Sequence, residues 1–393
     1  MNRDLLRDDV QKWIADHTFS DVKKLALAKN PFPDADYKEL LNQISARAKA
    51  KDKLPGWFNT GGIVYPSKIS VEQTSSEKTA EYKSHLVSGE KLIDLTGGFG
   101  VDDFYFSKQV NQVVHCEMNP ELSEIAAHNF KRLERHNIVC ESGDSTEILK
   151  NLETRFDWIY IDPSRRNDTK GKVFLLADCL PNVPELLDFY FSFSDNILIK
   201  TAPLLDITAG LKELSHVSAI HIVAVENEVK ELLFEVRKDF IGSLQIKSVN
   251  LLKNSTQEFS FLISEMYVES EFGTPKKYLY EPNTAIYKSG AFDLIGRRFG
   301  LTKLHKHSHL YTSETLVHDF PGRIFEIQTV LDYDKNAMKT HLQGKKTNVS
   351  VRNFPETVEK LRQKWKMLDG GDSYSFFTTA YPNDKIVLLC AKI

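Results

Sequence analysis

The sequence has few cysteines, no long apolar run and almost no net charge, and each shortage excludes something. Its four cysteines (Cys116, Cys140, Cys179 and Cys390) lie far apart with no CxxC spacing. Neither a metal site nor a disulfide framework is indicated, and buried thiols are the plain expectation. No stretch of about 18 apolar residues is there to span a bilayer, and the opening MNRDLLRDDVQKW is too charged for the apolar core of a signal peptide. No membrane contact is expected, and the expected location is cytoplasmic. Internal repeats and low-complexity tracts are absent too. What is present is an ordinary globular composition, 41% hydrophobic and 27% charged, spread over 393 residues. That length exceeds what a single core usually serves, so two or three folding units are expected.

The net charge of −3 hides an uneven distribution. From Lys276 to Ile393 there are 19 Lys and Arg against 12 Asp and Glu, a balance of +7, which leaves −10 for everything before. A basic half suggests an anionic partner, most commonly nucleic acid. A merely solvated basic surface would read the same way.

Apolar residues recur at helical spacing through Val10, Trp13, Ile14 and again through Leu40, Leu41, Ile44, with the Pro31 to Pro33 stretch between them. This predicts a small N-terminal helical region over residues 1–72. In VEQTSSEKTAEYKSHL, Thr74 and Glu77 have capping-box spacing ahead of a further helix. Between Lys91 and Val236, short apolar runs alternate with helical stretches in a βαβ rhythm. Seven strands are predicted: 91–95, 112–117, 137–141, 157–162, 196–200, 219–225 and 232–236. Only ENEVKE separates the last two, too little for a crossover helix, so they must form an antiparallel hairpin closing an otherwise parallel sheet. The stretch SLQIKSVNLLKN could extend this unit or open the next. Past Thr274 and Pro275 the pattern becomes short aromatic-rich strands and helices. The expected organisation is thus a helical region (1–72), an α/β domain (73–274) and a basic α+β region (275–393).

The sharpest local signal is LIDLTGGFGVDD, where a buried strand ends at Asp94 and runs into Gly97, Gly98 and Gly100 before a helix. Glycines there allow a tight turn and close approach of backbone to a ligand. The third glycine of a pyrophosphate fingerprint is replaced by Asp103, so GxGxxG is not met. An acidic strand end beside such a turn suits a ligand with an ammonium group and no phosphates. Glu117 ends the second strand 23 residues after Asp94, close to the roughly 20-residue offset at which an acidic side chain reaches a ribose diol. Asp144, in SGDS after the third strand, could bond an adenine amino group or cap a helix.

DLTGGFG, CEMN, SGDS and IDPSRR, in order and each after a strand, resemble the successive motifs of class I S-adenosylmethionine-dependent methyltransferases. The resemblance covers residues 73 to 240 and implies a seven-stranded Rossmann-like methyltransferase sheet with a terminal antiparallel hairpin. It implies that Asp94, Thr96 and the Gly97 to Gly100 turn flank the methionine moiety. Glu117 with Met118 would take the ribose, and Asp144 with Ser145 the adenine. EQTSSEKTAEYK resembles the segment that closes over the cofactor in RNA-modifying members, which makes Thr74, Ser75 and Ser76 candidate contacts. Beyond Thr274, YLYEPNTAIYKSG and VRNFPETVEKLRQKWKMLDGGDSYSF are similar to the THUMP-like region of a bacterial methyltransferase family, which implies RNA binding.

Methyl transfer needs an acceptor held in line with the methyl carbon. Asp162, Pro163, Ser164 and Arg165 follow the fourth strand, where ligands bind in open α/β sheets, and form the expected acceptor site. Ser164 and Arg165 stand where amine-methylating families carry a proline and an aromatic. IDPSRR and IKTAP offer no cysteine for carbon-5 pyrimidine chemistry. Arg165 and Arg166 could grip a phosphate. Lys83, Asp162, Lys200 and Glu235 fall where the Lys-Asp-Lys-Glu tetrad of ribose 2′-O-methyltransferases falls, with Lys200 the candidate to handle a hydroxyl proton. His305, His307 and His309 would share one face of a strand, more simply as solvated side chains than as metal ligands. The reading is a methyltransferase using S-adenosyl-L-methionine on a nucleotide of structured RNA, tRNA or rRNA, docked by the C-terminal region. The alternatives are a protein or small-molecule methyltransferase, or a non-catalytic nucleic-acid-binding module of the same fold. Nothing in the sequence specifies an oligomeric state.

Overall fold

The computed structural model describes residues 1–165 and 175–393, and leaves out the side chains of residues 68–70. Arg166 lies outside the described residues. The chain divides into two compact units, Met1–Ser218 with Leu232–Gly242, and Ala219–Glu231 with Ser243–Ile393. It is mixed α/β, with a large, mostly parallel sheet and a C-terminal antiparallel one.

In the first unit the strands are β1 (Lys91–Asp94), β2 (Gln112–Glu117), β3 (Ile138–Ser142), β4 (Trp158–Ile161) and β5 (Asn196–Thr201). All are mutually parallel in the order β5-β4-β1-β2-β3. Runs such as LID, WIYI and ILI are buried on both faces, as the strands of a helix-covered parallel sheet must be. Helices Val101–Phe106, Pro120–Arg132 and Ser145–Leu152 connect β1 to β4. The last two start at Asn119 and Asp144, whose side chains accept from backbone N–H groups of the first turn. Because β1 lies between β2 and β4, the direction of winding reverses there. The carboxyl ends of β1 and β4 therefore border the crevice where this architecture binds ligands.

The N-terminal helices, chiefly Asp8–Asp16 and Tyr37–Lys53, share one core with this domain. Val10, Ile14, Leu40, Ile44 and Trp57 pack with Phe99, Val101, Ile125 and Phe130. Two amides fasten the link: Gln43 bonds the Tyr65 backbone at 2.5 and 2.8 Å, and Asn129 bonds that of Val64 at 2.9 and 2.8 Å. The helix Glu77–Ser84 is capped by Ser76 with Thr79, not by Thr74 with Glu77 as its spacing predicts. The Glu77 carboxylate instead receives the Gly56 N–H at 2.7 Å, a contact across 21 residues that no local pattern reveals.

β6 (Val217–Val225) and β7 (Glu228–Arg237) form the expected hairpin. They turn at Glu226 and Asn227, both at positive φ (48° and 65°), the conformation that matches strand twist. β7 runs antiparallel to β5. The stretch left open in the sequence becomes β8 (Gln245–Leu251) and β9 (Thr256–Leu262). β8 pairs parallel with β6, and β9 antiparallel with β8, within the second unit.

The C-terminal sheet comprises β10 (Tyr278–Pro282), β11 (Thr302–Lys303), β12 (Tyr311–Ser313), β13 (Gly322–Asp332), β14 (Asn348–Arg352), β15 (Ser373–Ala380) and β16 (Asp384–Lys392). Their order is β11-β12-β10-β13-β16-β15-β14, antiparallel except between β14 and β15. Successive side chains alternate faces. Phe376 joins Leu279, Phe325 and Leu388 on one side, while Phe377 joins Leu361, Trp365 and Val387 on the other.

Candidate active site

The glycine turn is held at both ends by backbone bonds. Leu95 N–H reaches Tyr160 O at 3.0 Å, Gly97 N–H reaches Cys116 O at 2.8 Å, and Gly100 N–H closes onto Gly97 O at 2.9 Å. A Cβ on Gly97 would overlap the His115 ring. Gly100, at φ 82°, starts the following helix with no room for a side chain against Phe130. The turn is thus close to the smallest the fold permits, which leaves its outer face free for a ligand to approach the backbone.

Asp94 sits under this turn and is only 1% exposed. Its Oδ1 accepts from Thr96 N at 2.7 Å and Thr96 Oγ1 at 3.1 Å. Burial, then the neighbouring Asp103, push its carboxyl well above the usual range. Asp103 is raised likewise, by burial and Asp102. Burial also lowers His115, whose Nδ1 lies 2.6 Å from Asp103 Oδ2. All three groups are driven toward their neutral forms.

Thr96 does a second job: its Oγ1 accepts the Asp162 N–H at 2.7 Å, tying the end of β1 to the end of β4. At the tip of β2, Glu117 receives Gly98 N–H on Oε2 at 2.9 Å and Asn119 N–H on Oε1 at 2.7 Å. Both bonds orient the carboxylate, and each oxygen keeps lone-pair capacity for a diol. Met118 beside it is 67% exposed. Asp144 is exposed and caps its helix through Thr146 and Glu147 N–H at 2.9 and 3.2 Å, with Ser145 the first helical residue.

A charged cluster lies next to the turn. Lys83, fully buried, meets Asp102 Oδ1 at 3.2 Å and Ser75 Oγ at 3.1 Å. Ser75 Oγ and Tyr160 OH each donate to Asp102 Oδ2 at 2.9 Å. Burial opposes the charge on Asp102, but Lys83 and Lys200, with these two hydroxyls, outweigh it and hold the carboxyl below its usual range. Lys200 pairs with Asp162, whose side chain is 37% exposed against 12% for the lysine. Glu235 stands opposite Leu198 in the β5–β7 ladder, two positions from Lys200, and holds Arg237 at 3.2 Å.

Of the other expected residues, Thr74 is half-buried, and Ser76 is committed to its helix cap. Pro163 is buried, and Ser164 and Arg165 pair with Leu180 and Cys179 in a two-residue ribbon. That ribbon brings a cysteine from outside IDPSRR and IKTAP beside Arg165. Burial pushes the Cys179 thiol up against the opposing influence of Arg165, which is not the state of a nucleophile. Sequence reasoning missed Asp102 and Tyr160 altogether. The only local hint for Asp102 was an acidic pair in a first helical turn, where such residues are commonplace. Among the described residues no cluster of three or more His, Cys, Asp or Glu could hold a metal. Both ring nitrogens of His305 have protein partners, and His309 stacks on Phe292 at 3.6 Å.

The donor set fits an S-adenosylmethionine-like group. Glu117 offers a carboxylate at the rim of the turn, while the adjacent Lys83 and Lys200 are engaged by Asp102 and Asp162. A cationic nucleoside is matched and a pyrophosphate is not.

A ferredoxin-like domain family matches residues 278–321, and a THUMP domain-like family matches residues 322–392. No curated protein matches significantly. The crystal structure of a proposed methyltransferase from Porphyromonas gingivalis W83 is 32% identical, with a TM-score of 0.89, covering 100% of this chain and 98% of that one. Two weaker likenesses are TrmK of M. capricolum with S-adenosyl-homocysteine and an O-methyltransferase of Bacillus cereus with SAH. The first is 14% identical with a TM-score of 0.32, covering 45% of this chain and 70% of that one. The second is 12% identical with a TM-score of 0.34, covering 58% and 100%. With the glycine turn, the acidic strand tips and the hairpin-closed sheet all in place, the near full-length match means that this chain belongs to the family of class I S-adenosylmethionine-dependent methyltransferases with a THUMP-like C-terminal region.

Proposed function

We propose that the protein transfers the methyl group of S-adenosylmethionine to a nucleotide of structured RNA, tRNA or rRNA, docked by the C-terminal region. The observation that carries the reading is the Thr96 bridge: one hydroxyl joins the acidic floor of the glycine turn to the backbone of Asp162. The cofactor-side and acceptor-side strand tips are thereby set at a fixed separation, which an in-line displacement demands.

Bound S-adenosylmethionine supplies an electrophilic methyl carbon on a sulfonium. Glu117 would accept hydrogen bonds from the ribose hydroxyls, with its orientation preset by Gly98 and Asn119. The Gly97–Gly100 backbone and Thr96 would border the methionine end, Met118 the ribose beside Glu117, and Asp144 with Ser145 the base. On the acceptor side, Asp162 is exposed enough to accept a hydrogen bond from an incoming O–H or N–H, while Lys200 steadies its charge. Pro163, Ser164 and Arg165 would shape the entrance, with Lys83, Asp102 and Ser75 as its buried support. Support for RNA comes from the +7 balance of the last 118 residues and from the THUMP domain-like match.

The test is incubation with labelled S-adenosylmethionine and total RNA from a strain lacking the gene, followed by nucleoside mass spectrometry. A methylated nucleoside is the expected product. Label in protein or small molecules, with none in RNA, overturns the RNA reading, and uptake of the cofactor with no transfer to anything overturns the enzymatic one.

A further inference from the structure

One end of the C-terminal sheet carries aromatic rings in a way that core packing does not require. Phe272 and Tyr381 lie 6.5 Å apart with planes 12° from parallel, and both are exposed, 41% and 53%. Tyr381 begins the turn between β15 and β16, with its N–H on Leu304 O at 2.7 Å. In that turn, Asn383 Oδ1 bonds His305 Nε2 at 3.1 Å. Asn353 Nδ2 and the His307 N–H meet His305 Nδ1 at 3.0 and 3.2 Å. This partner set makes His305 the Nε2–H tautomer and a fixed strut between the turn and the end of β14.

The same end continues to a second aromatic station. Phe354, one residue past Asn353, packs edge-on against Tyr333 at 4.9 Å, and Tyr333 N–H bonds Lys385 O at 3.0 Å as β13 ends. Beside Tyr333 opens a cavity of about 470 Å³ lined by Lys335, Lys339, Gln343, Lys364 and Trp365, with Asp334 at its edge. Lys364 lies 5.2 and 5.3 Å from the Tyr333 and Trp365 ring centres and is held by Glu356. Trp365 is 8% exposed, and its Nε1–H has no hydrogen-bond partner among the described residues. Asp334 caps helix Lys335–His341 and keeps its charge, so with Lys364 held by Glu356 it is Lys335 and Lys339 that tip the cavity to positive. Such a cavity is large enough for a nucleobase and has an aromatic wall and ammonium groups.

We propose that this end of the C-terminal unit binds a single-stranded stretch of RNA, stacking bases at Phe272–Tyr381 and seating a further base in the cavity beside Tyr333 while Lys335 and Lys339 meet the phosphates. The inference deepens the RNA reading above and rests on it. Exposed ring faces can stack only on bases whose own faces are free, which duplex RNA does not offer. The lysines alone would suit any polyanion. Their alternation with rings selects an unpaired strand.

The experiment measures anisotropy of a labelled mixed-sequence 10-mer RNA with the full chain, free or annealed to its complement, across salt concentrations. The single strand should bind roughly tenfold more tightly than the duplex. Tyr381→Ala and Phe272→Ala should each weaken it roughly tenfold at unchanged salt slope, whereas Tyr381→Trp, which keeps a ring, should retain it. Lys335→Ala with Lys339→Ala should lower the salt slope by about 1.4. Equal affinity for duplex, or wild-type binding by the ring and lysine variants, overturns the proposal. If those variants also label RNA like wild type, only this surface is refuted; if the wild type neither binds nor labels RNA, the RNA reading falls with it.

Discussion

The hydroxyl of Thr96 accepts the Asp162 N–H at 2.7 Å while donating to Asp94 at 3.1 Å. Thr96→Val keeps the shape but removes both bonds and leaves a half-buried N–H unpaired, a cost of about 1–3 kcal/mol. We expect methylation kcat/KM to fall roughly 5- to 150-fold, with Thr96→Ser restoring most of it. Steady-state rates for the two variants check this, and equal losses in both would remove Thr96 from its bridging role.

Glu117 and Asp162 should separate in kinetics. Glu117→Ala removes a diol acceptor and strands the Gly98 and Asn119 N–H groups. Cofactor Kd should rise by about 10- to 100-fold. Asp162→Ala should leave cofactor affinity within about threefold and lower turnover by about 100-fold. Calorimetry for binding and single-turnover rates for chemistry distinguish the two.

Lys83 is fully buried against Asp102. Asp102→Asn leaves an ammonium without its counter-charge, at a cost of about 3–5 kcal/mol. A double variant, Lys83→Met with Asp102→Leu, should recover most of that stability without recovering activity. Urea denaturation followed in the first unit measures both, and a mild effect of Asp102→Asn alone would show that Lys83 finds other compensation.

Protonation beneath the turn has a predictable sign. Asp94 and Asp103 are raised in the folded protein, so their contribution is complete below the unfolded value near 3.8 and declines as pH rises toward the folded values. Asp103→Asn cannot ionise and relieves Asp94 as well. Its stability relative to wild type should therefore increase from pH 5 to pH 8, by up to about 1.4 kcal/mol per pH unit for each proton concerned. Denaturation midpoints at the two pH values give the result, and a difference that shrinks with pH would contradict the buried neutral pair.

The strand tips and the glycine turn were legible as positions because each motif is contiguous and its place follows from the end of one strand. Asp94, Glu117 and Asp162 could be read in that way. Asp102 could not, because its partners Lys83, Ser75 and Tyr160 come from segments 19, 27 and 58 residues away. The cap at Ser76 escaped for the same reason, since Glu77 was drawn off to Gly56. Cys179 reached Arg165 only through the short ribbon. In the C-terminal unit, aromatic richness was visible, but not that Phe272 and Tyr381 would face each other from 109 positions apart.

Phe99, inside the glycine turn, is braced by Trp57 at 4.7 Å and Tyr65 at 6.1 Å, both from the first 72 residues. A chain trimmed to start at residue 73 would bare one wall of its own glycine turn. The N-terminal helices are therefore a foundation rather than an appendage, and a catalytic domain cannot be cut out by following the sheet alone.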